Sequence, residues 1–183
     1  MSIQYTLFPS NPAAHIFTVT LFVERPTKEG QELSLPTWIP GSYMIREFAK
    51  NIVRMKAKVG NVEVPVEQTS KNTWMVYSEG QPFSLEYEVY AWDLSVRMAH
   101  LDQTHGYCNG TSVFLEVRGQ SDLIHRVLLQ PPSDPLCVDW KVATTLQNSG
   151  DLGEFGWFEA TDYDDLIDHP IEMGTFENLT FEA

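Results

Sequence analysis

Phe83-Ser84-Leu85-Glu86-Tyr87-Glu88-Val89-Tyr90-Ala91 sets the pattern that the rest of the chain repeats. Phe83, Leu85, Tyr87, Val89 and Ala91 occupy every second position, with Ser84, Glu86 and Glu88 between them. A period of two sends successive side chains to opposite faces, so this is a strand with one apolar and one polar face. Upstream, Phe17, Val19, Leu21 and Val23 alternate with Thr18 and Thr20 until Glu24-Arg25-Pro26 ends the run. Residues 31–35 form a second short strand. Val53, Met55, Ala57 and Val59 alternate with Arg54, Lys56 and Lys58, which gives that strand a basic polar face. Gly60-Asn61 then fits a two-residue hairpin turn into Val62, Val64 and Val66. Residues 73–77, 113–117, 124–129, 140–146 and 155–161 read as further strands. In the second of these, Val113, Leu115 and Val117 share a face, with Phe114, Glu116 and Arg118 opposite. Many short strands with no long amphipathic helix predict an all-β, antiparallel β-sandwich. At most one or two short helical turns are expected, the first at residues 43–50, where Arg46 and Lys50 lie four apart.

The 183 residues suit one domain with a sizeable core, and 12% aromatic and 43% hydrophobic residues argue against disorder. No apolar run approaches the ~18 residues of a membrane span, and the start does not resemble a signal peptide. Cys108 and Cys137 fit neither a disulfide framework nor a Cys-x-x-Cys site, so a reduced, cytoplasmic setting is expected. The net charge of -13 is uneven: residues 151–183 carry ten acids and no Lys or Arg. Such acidity points away from nucleic acid and from anionic membrane surfaces as partners. The change in composition near residue 150 is also the clearest hint of a boundary.

Between the second and third strands lies Leu35-Pro36-Thr37-Trp38-Ile39-Pro40-Gly41-Ser42-Tyr43, followed by Ile45 and Phe48. The two prolines force extended geometry and Gly41-Ser42 gives a turn. So many large apolar side chains beside a corner read as a plug in the open edge of the core, with Trp38 buried. The stretch resembles the Pro-x-Trp-x-Pro-Gly-x-Tyr signature in the N-terminal domain of the glycyl-aminopeptidase family, gluzincin zinc metallopeptidases that end in a PDZ domain. The resemblance continues through Asn72-Thr73-Trp74, Tyr87 to Tyr90, Asp93-Leu94-Ser95-Val96-Arg97, the turn from Gly106-Tyr107 to Phe114, and Asp162-Tyr163-Asp164-Asp165-Leu166-Ile167-Asp168-His169-Pro170-Ile171.

The resemblance implies a non-catalytic domain, residues 1–162, that packs on a following catalytic domain and walls its substrate cleft. Residues 163–183 would be a linker and the first strand of that next domain, with Ile171, Met173, Phe176 and Phe181 lacking their natural cover. Self-association through this segment is then expected, with Asp164, Asp165 and Asp168 near the basic face of Arg54, Lys56 and Lys58. The parent enzyme would use zinc to remove N-terminal glycine or alanine from peptides. Gluzincin chemistry needs His-Glu-x-x-His, where the Glu activates a zinc-bound water. None of His15, His100, His105, His125 and His169 is followed by Glu, so no catalytic residue and no cofactor is expected in this chain.

Two polar groupings remain. By analogy with aminopeptidase N, whose β-domain lends a polar side chain to the substrate amine, the resemblance implies a substrate rim at Asn109, Ser112 and Glu116. Glu116 is otherwise an ordinary solvent-side strand residue. His100, Asp102, His105 and Cys108 are all metal-capable types, but Gly106 and Asn109-Gly110 suggest a loop with diverging side chains, and no metal site is assigned there. Nothing resembles a nucleophile elbow, a phosphate loop or a dinucleotide fingerprint. The rival reading is a stand-alone β-sandwich that binds carbohydrate or protein, for which five tryptophans and seven tyrosines would supply stacking surface.

Overall fold

Strands β1 (Ser2–Asn11) and β2 (Ile16–Val23) bury every second residue along most of their length, as a half-buried sheet requires. A computed structural model describes residues 2–39, 41–148, 150–177 and 179. Onward in chain order the strands are β3 (Gln31–Ser34), β4 (Ile52–Val59), β5 (Val62–Val64), β6 (Val66–Ser70), β7 (Thr73–Val76), β8 (Phe83–Tyr90), β9 (Ala99–Leu101) and β10 (His105–Cys108). Then come β11 (Glu116–Val117), β12 (Ile124–Leu129), β13 (Lys141–Thr144), β14 (Gln147–Asn148), β15 (Gly156–Ala160) and β16 (Ile171–Gly174). Helical structure among the described residues is one α-helix, α1 (Tyr163–Asp168), and four single 3-10 turns. The chain is all-β, as its alternation predicts.

Eight strands form the large sheet in the order β14-β15-β12-β1-β2-β8-β4-β5. Two four-stranded sheets, β13-β16-β10-β9 and β11-β3-β7-β6, complete the fold. The buried side chains of all three make one cluster. Phe17, Val19, Leu21 and Val23 of β2 lie in register with Val89, Tyr87, Leu85 and Phe83 of β8, so two apolar faces coincide. Among the described residues, pairing is antiparallel except for β1 on β12. Strand β1 itself hides in the sequence behind Pro9. The proline is tolerated because the β1–β2 register shifts between Phe8 and Asn11. Gly60, at φ +57°, opens the β4–β5 hairpin as expected.

Three sequence readings are corrected. Residues 113–115 are not a strand: a 3-10 turn at Gly110–Ser112 leads into an irregular buried segment, and only Glu116–Val117 pair as β11. Buried tyrosines supply the donors that a sheet would have given. Tyr87 Oη donates to the Val113 carbonyl (2.6 Å), Tyr163 Oη to Phe114 (2.7 Å) and Tyr5 Oη to Leu115 (2.7 Å). The Leu115 N–H donates back to Tyr87 Oη at 3.2 Å.

The segment from residue 163 is not without cover as far as Gly174. Tyr163 and Leu166 of α1 are buried, and β16 lies between β10 and β13 with Ile171 and Met173 fully enclosed. Among the described residues, Asp164, Asp165 and Asp168 make no ion pair with the basic face of β4 either. Arg54 pairs with Glu88 of β8, and Lys56 lies 4.0 Å from Glu63 of β5. Phe181 lies outside the described residues.

The third correction is the proline-rich corner. Ile39 and Phe48 reach the core, but Trp38 is 59% exposed and Tyr43 98%, with Met44 and Ile45 also exposed. The helical turn falls at Phe48–Asn51 instead of spanning residues 43–50. Backbone bonds hold the loop without burying its aromatics: Arg46 N donates to Thr37 O at 2.7 Å, and Asn72 Nδ2 donates to Leu35 O at 2.6 Å.

Candidate functional site

The proline-rich loop forms one side of an open groove of about 1040 Å³, and α1 forms the other. Pro36, Trp38 and Ile39 line the first side; Asn109, Thr111, Glu116 and Arg118 also line it, and the second carries Asp162, Asp164, Asp165 and Asp168. Five carboxylates face one guanidinium, so the groove carries net negative charge.

Local chemistry explains this shape. Asp162 caps α1, its Oδ1 accepting from Asp165 N at 2.8 Å, while Asp165 Oδ2 accepts from Thr161 N at 2.8 Å. The Thr161 N–H, opposed by partial burial and aided by His169 and the Thr161 hydroxyl, holds the Asp165 carboxyl below its ordinary range. Two of the four aspartates are therefore structural caps, and Asp164 and Asp168 are left exposed. Gly110 lets α1 come close: a Cβ there would lie 2.8 Å from Ile167 Cα and 3.1 Å from the Leu166 carbonyl. Only glycine permits that backbone approach.

Of the sequence-predicted rim residues, Asn109 and Glu116 line the groove and Ser112 does not. Ser112 is buried and donates to Asn109 O at 2.7 Å. Asn109 works mainly on its own turn, its Oδ1 accepting from Thr111 N at 3.1 Å. Glu116 is mostly enclosed and not an open strand residue. Ser121 Oγ donates to it at 2.7 Å, Ser34 Oγ at 3.2 Å, and Arg118 Nη1 lies 3.0 Å away. A cation drawn to Glu116 would share it with Arg118. The remaining lining acids went unassigned in the sequence because they read as a solvated linker.

The second grouping also differs from expectation. Residues 99–108 form the β9–β10 hairpin instead of a wandering loop, so His100 and His105 fall on one sheet face. His100, Asp102 and His105 bring one ligand atom each within 4.8 Å of one another. Cys108 points the other way into the core, where burial pushes its thiol far above the ordinary range. That placement withholds it from nucleophilic work.

Against known proteins, the model of the Peptidase M61 N-terminal domain matches residues 4–175, and the chain belongs to that family. Among solved structures, an aminopeptidase N family protein from Idiomarina loihiensis is 45% identical with a TM-score of 0.89, over 94% of this chain and 29% of that one. A mutant M1 zinc metallopeptidase from Deinococcus radiodurans shares the fold at 14% identity and a TM-score of 0.51, over 95% of this chain and 41% of its own. The same mutant enzyme bound to a Tyr-Ser-Ala substrate gives 10% identity and a TM-score of 0.52 over the same shares. The chain thus spans under a third of the Idiomarina protein and about two fifths of the Deinococcus enzyme. No curated protein matches it. No helix among the described residues is long and apolar enough to cross a membrane.

Proposed function

We propose that the chain is the non-catalytic N-terminal domain of a zinc-dependent aminopeptidase that removes N-terminal glycine or alanine from peptides. The family membership supports the parent's class. The resemblance of the proline-rich loop to the glycyl-aminopeptidase signature supports the finer preference. The catalytic zinc would be held by a following domain, since no His-Glu-x-x-His occurs among the five histidines of this chain. A reducing, cytoplasmic setting agrees with the two buried free thiols.

The observation that carries the domain's role is the acidic groove against an exposed Trp38. A peptide's terminal ammonium would be drawn toward Asp164, Asp168 and Glu116, and the exposed Trp38, Tyr43 and Ile45 would pack on the catalytic domain. We place the start of that next domain after Gly174, because residues 163–174 are built into this one.

The test is kinetic. This chain alone, supplied with zinc, should not hydrolyse glycyl or alanyl anilides; metal-dependent turnover that survives repurification would refute the assignment. In the protein that includes the catalytic domain, Glu116→Gln combined with Asp164→Asn should raise KM several-fold with little change in kcat, as for binding lost equally from the ground and transition states. Unchanged KM would remove the groove from the substrate path. The carbohydrate-binding alternative rests on a smaller cleft of about 420 Å³ beside the half-exposed Trp157, lined by Gln4, Arg126 and Glu159. Saturable oligosaccharide binding lost in Trp157→Ala would favour it.

A further inference from the structure

On the face of the second sheet turned away from the core, four rings stand in a row. The His15 and Trp92 ring centroids are 3.8 Å apart, Trp92 and His100 4.8 Å, and His100 and His105 4.9 Å. Tertiary structure makes this row from three separate segments. His15 is anchored by its Nδ1 against the Leu101 carbonyl at 2.7 Å, and Trp92 bridges to His100 beside the β9–β10 hairpin. Stacking on both faces leaves the His100 ring 6% exposed and fixed, with Nε2 directed at Asp102 Oδ2, 3.2 Å away.

Asp102 is fixed as firmly. Its Oδ1 accepts from Thr104 N (2.6 Å), Thr104 Oγ1 (2.6 Å) and His105 N (3.1 Å). Those bonds leave Oδ2 as the oxygen free to bind something other than the turn. His105 Nδ1 lies 3.9 Å from Asp102 Oδ1 and 3.2 Å from Thr104 Oγ1. Across the sheet, Gly174 pairs with His105, and a Cβ at Gly174 would come within 3.1 Å of the His105 Cβ. The glycine keeps room for the ring. Glu172, two residues before Gly174 on β16 and paired with Tyr107, falls on the same sheet face.

We propose that His100, Asp102 and His105 form a binding site for a divalent transition-metal ion of the zinc class, with Glu172 a further carboxylate on the same sheet face. Two imidazoles and a carboxylate suit such an ion, and ligands held ~2.0–2.2 Å from zinc stand roughly 3.3–3.5 Å apart. His100 Nε2 and Asp102 Oδ2, 3.2 Å apart, already meet this; since one ligand atom of each residue lies within 4.8 Å of the others, the His105 ring has to move inward by up to about 1.3 Å to complete the set. A carboxylate held by backbone N–H groups is the kind of outer contact that orients a metal ligand, and stacking fixes the His100 ring beside it. In the metal-free chain the His100–Asp102 hydrogen bond occupies the site, and the ion takes the place of that proton.

The experiment uses the full chain without a polyhistidine tag, stripped with EDTA and titrated with Zn2+ against a chromophoric chelator. Co2+ serves as a spectroscopic probe. One Zn2+ per chain should bind, Co2+ should show visible ligand-field bands, and His105→Gln should weaken binding at least tenfold. His169→Gln, which alters a histidine outside the cluster, should leave binding unchanged. Imidazole NMR of the unaltered chain provides a reading that depends on no variant: Zn2+ should shift the His100 and His105 ring signals. Absence of saturable Zn2+ binding would overturn the proposal, as would equal affinity in His105→Gln. Ring shifts confined to His15, His125 or His169 would overturn it as well.

Discussion

Trp38 and Phe48 belong to the same loop and lie ten residues apart, yet one faces solvent and the other is buried. Trp38→Ala should change stability by less than ~1 kcal/mol, whereas Phe48→Ala should cost about 3–5 kcal/mol through the cavity it leaves. Denaturant midpoints of the two variants check this, and a large loss at Trp38 would mean that the loop closes on the core in solution. His125 makes a second residue-scale prediction. Its ring is buried between Tyr5 and Tyr163, with Nδ1 on the Leu123 carbonyl at 2.7 Å and Nε2 unpartnered. Burial pushes its pKa below the ordinary 6.5, against the opposing pull of the Leu123 carbonyl, Asp162 and Glu116. Below the unfolded value the unfolded chain takes up a proton that the folded chain refuses. Stability at this group is therefore present above about pH 6.5 and is lost as pH falls toward the folded value, by up to ~1.4 kcal/mol per pH unit. Urea midpoints at about pH 7.5 and about pH 5.5 should differ less in His125→Phe than in the native chain; an equal difference would assign the slope to other groups.

At the scale of elements, α1 and β16 decide where the domain ends. Deleting everything after Thr161 removes Tyr163, Leu166, Ile171 and Met173, all buried. At roughly 1.5–3 kcal/mol per buried side chain, the loss rivals the ~5–15 kcal/mol stability of a typical domain. The truncated chain should lack a cooperative melting transition; a melting temperature within a few degrees of the native value would detach the segment from this core. The sequence misleads here for a physical reason. An aspartate-rich run reads as solvated linker, because nothing in one dimension distinguishes a carboxylate that caps a helix from one that faces water. Long strands with full alternation, β2 and β8, were legible without help. Three-residue β9 was not, since Ala99 and Leu101 around His100 do not span a period, and Gly106 in β10 reads as a turn although it packs against Leu101 and Phe17. Residues 113–115 alternate like a strand but take their hydrogen bonds from tyrosine hydroxyls, which no local pattern announces. Asn109 and Glu116, named from family likeness alone, line the groove. Ser112, three residues after Asn109, turned inward with the 3-10 helix.

For the whole molecule, the position of β1 bears on how the chain is made. It sits inside the large sheet between β2 and β12, and its Ser2 pairs with Ile124. During synthesis β1 can form its hairpin with β2 almost at once, but its other edge stays open until more than a hundred further residues have emerged. Contacts of such sequence separation slow folding toward the millisecond-to-second range typical of β-rich domains. An open, alternating apolar edge is meanwhile a template for other nascent chains. Production of this domain is thus governed by the arrival of β12 and β15: fragments ending before them keep the hairpin while leaving its edge unpaired, and belong in inclusion bodies even where their own strands are sound.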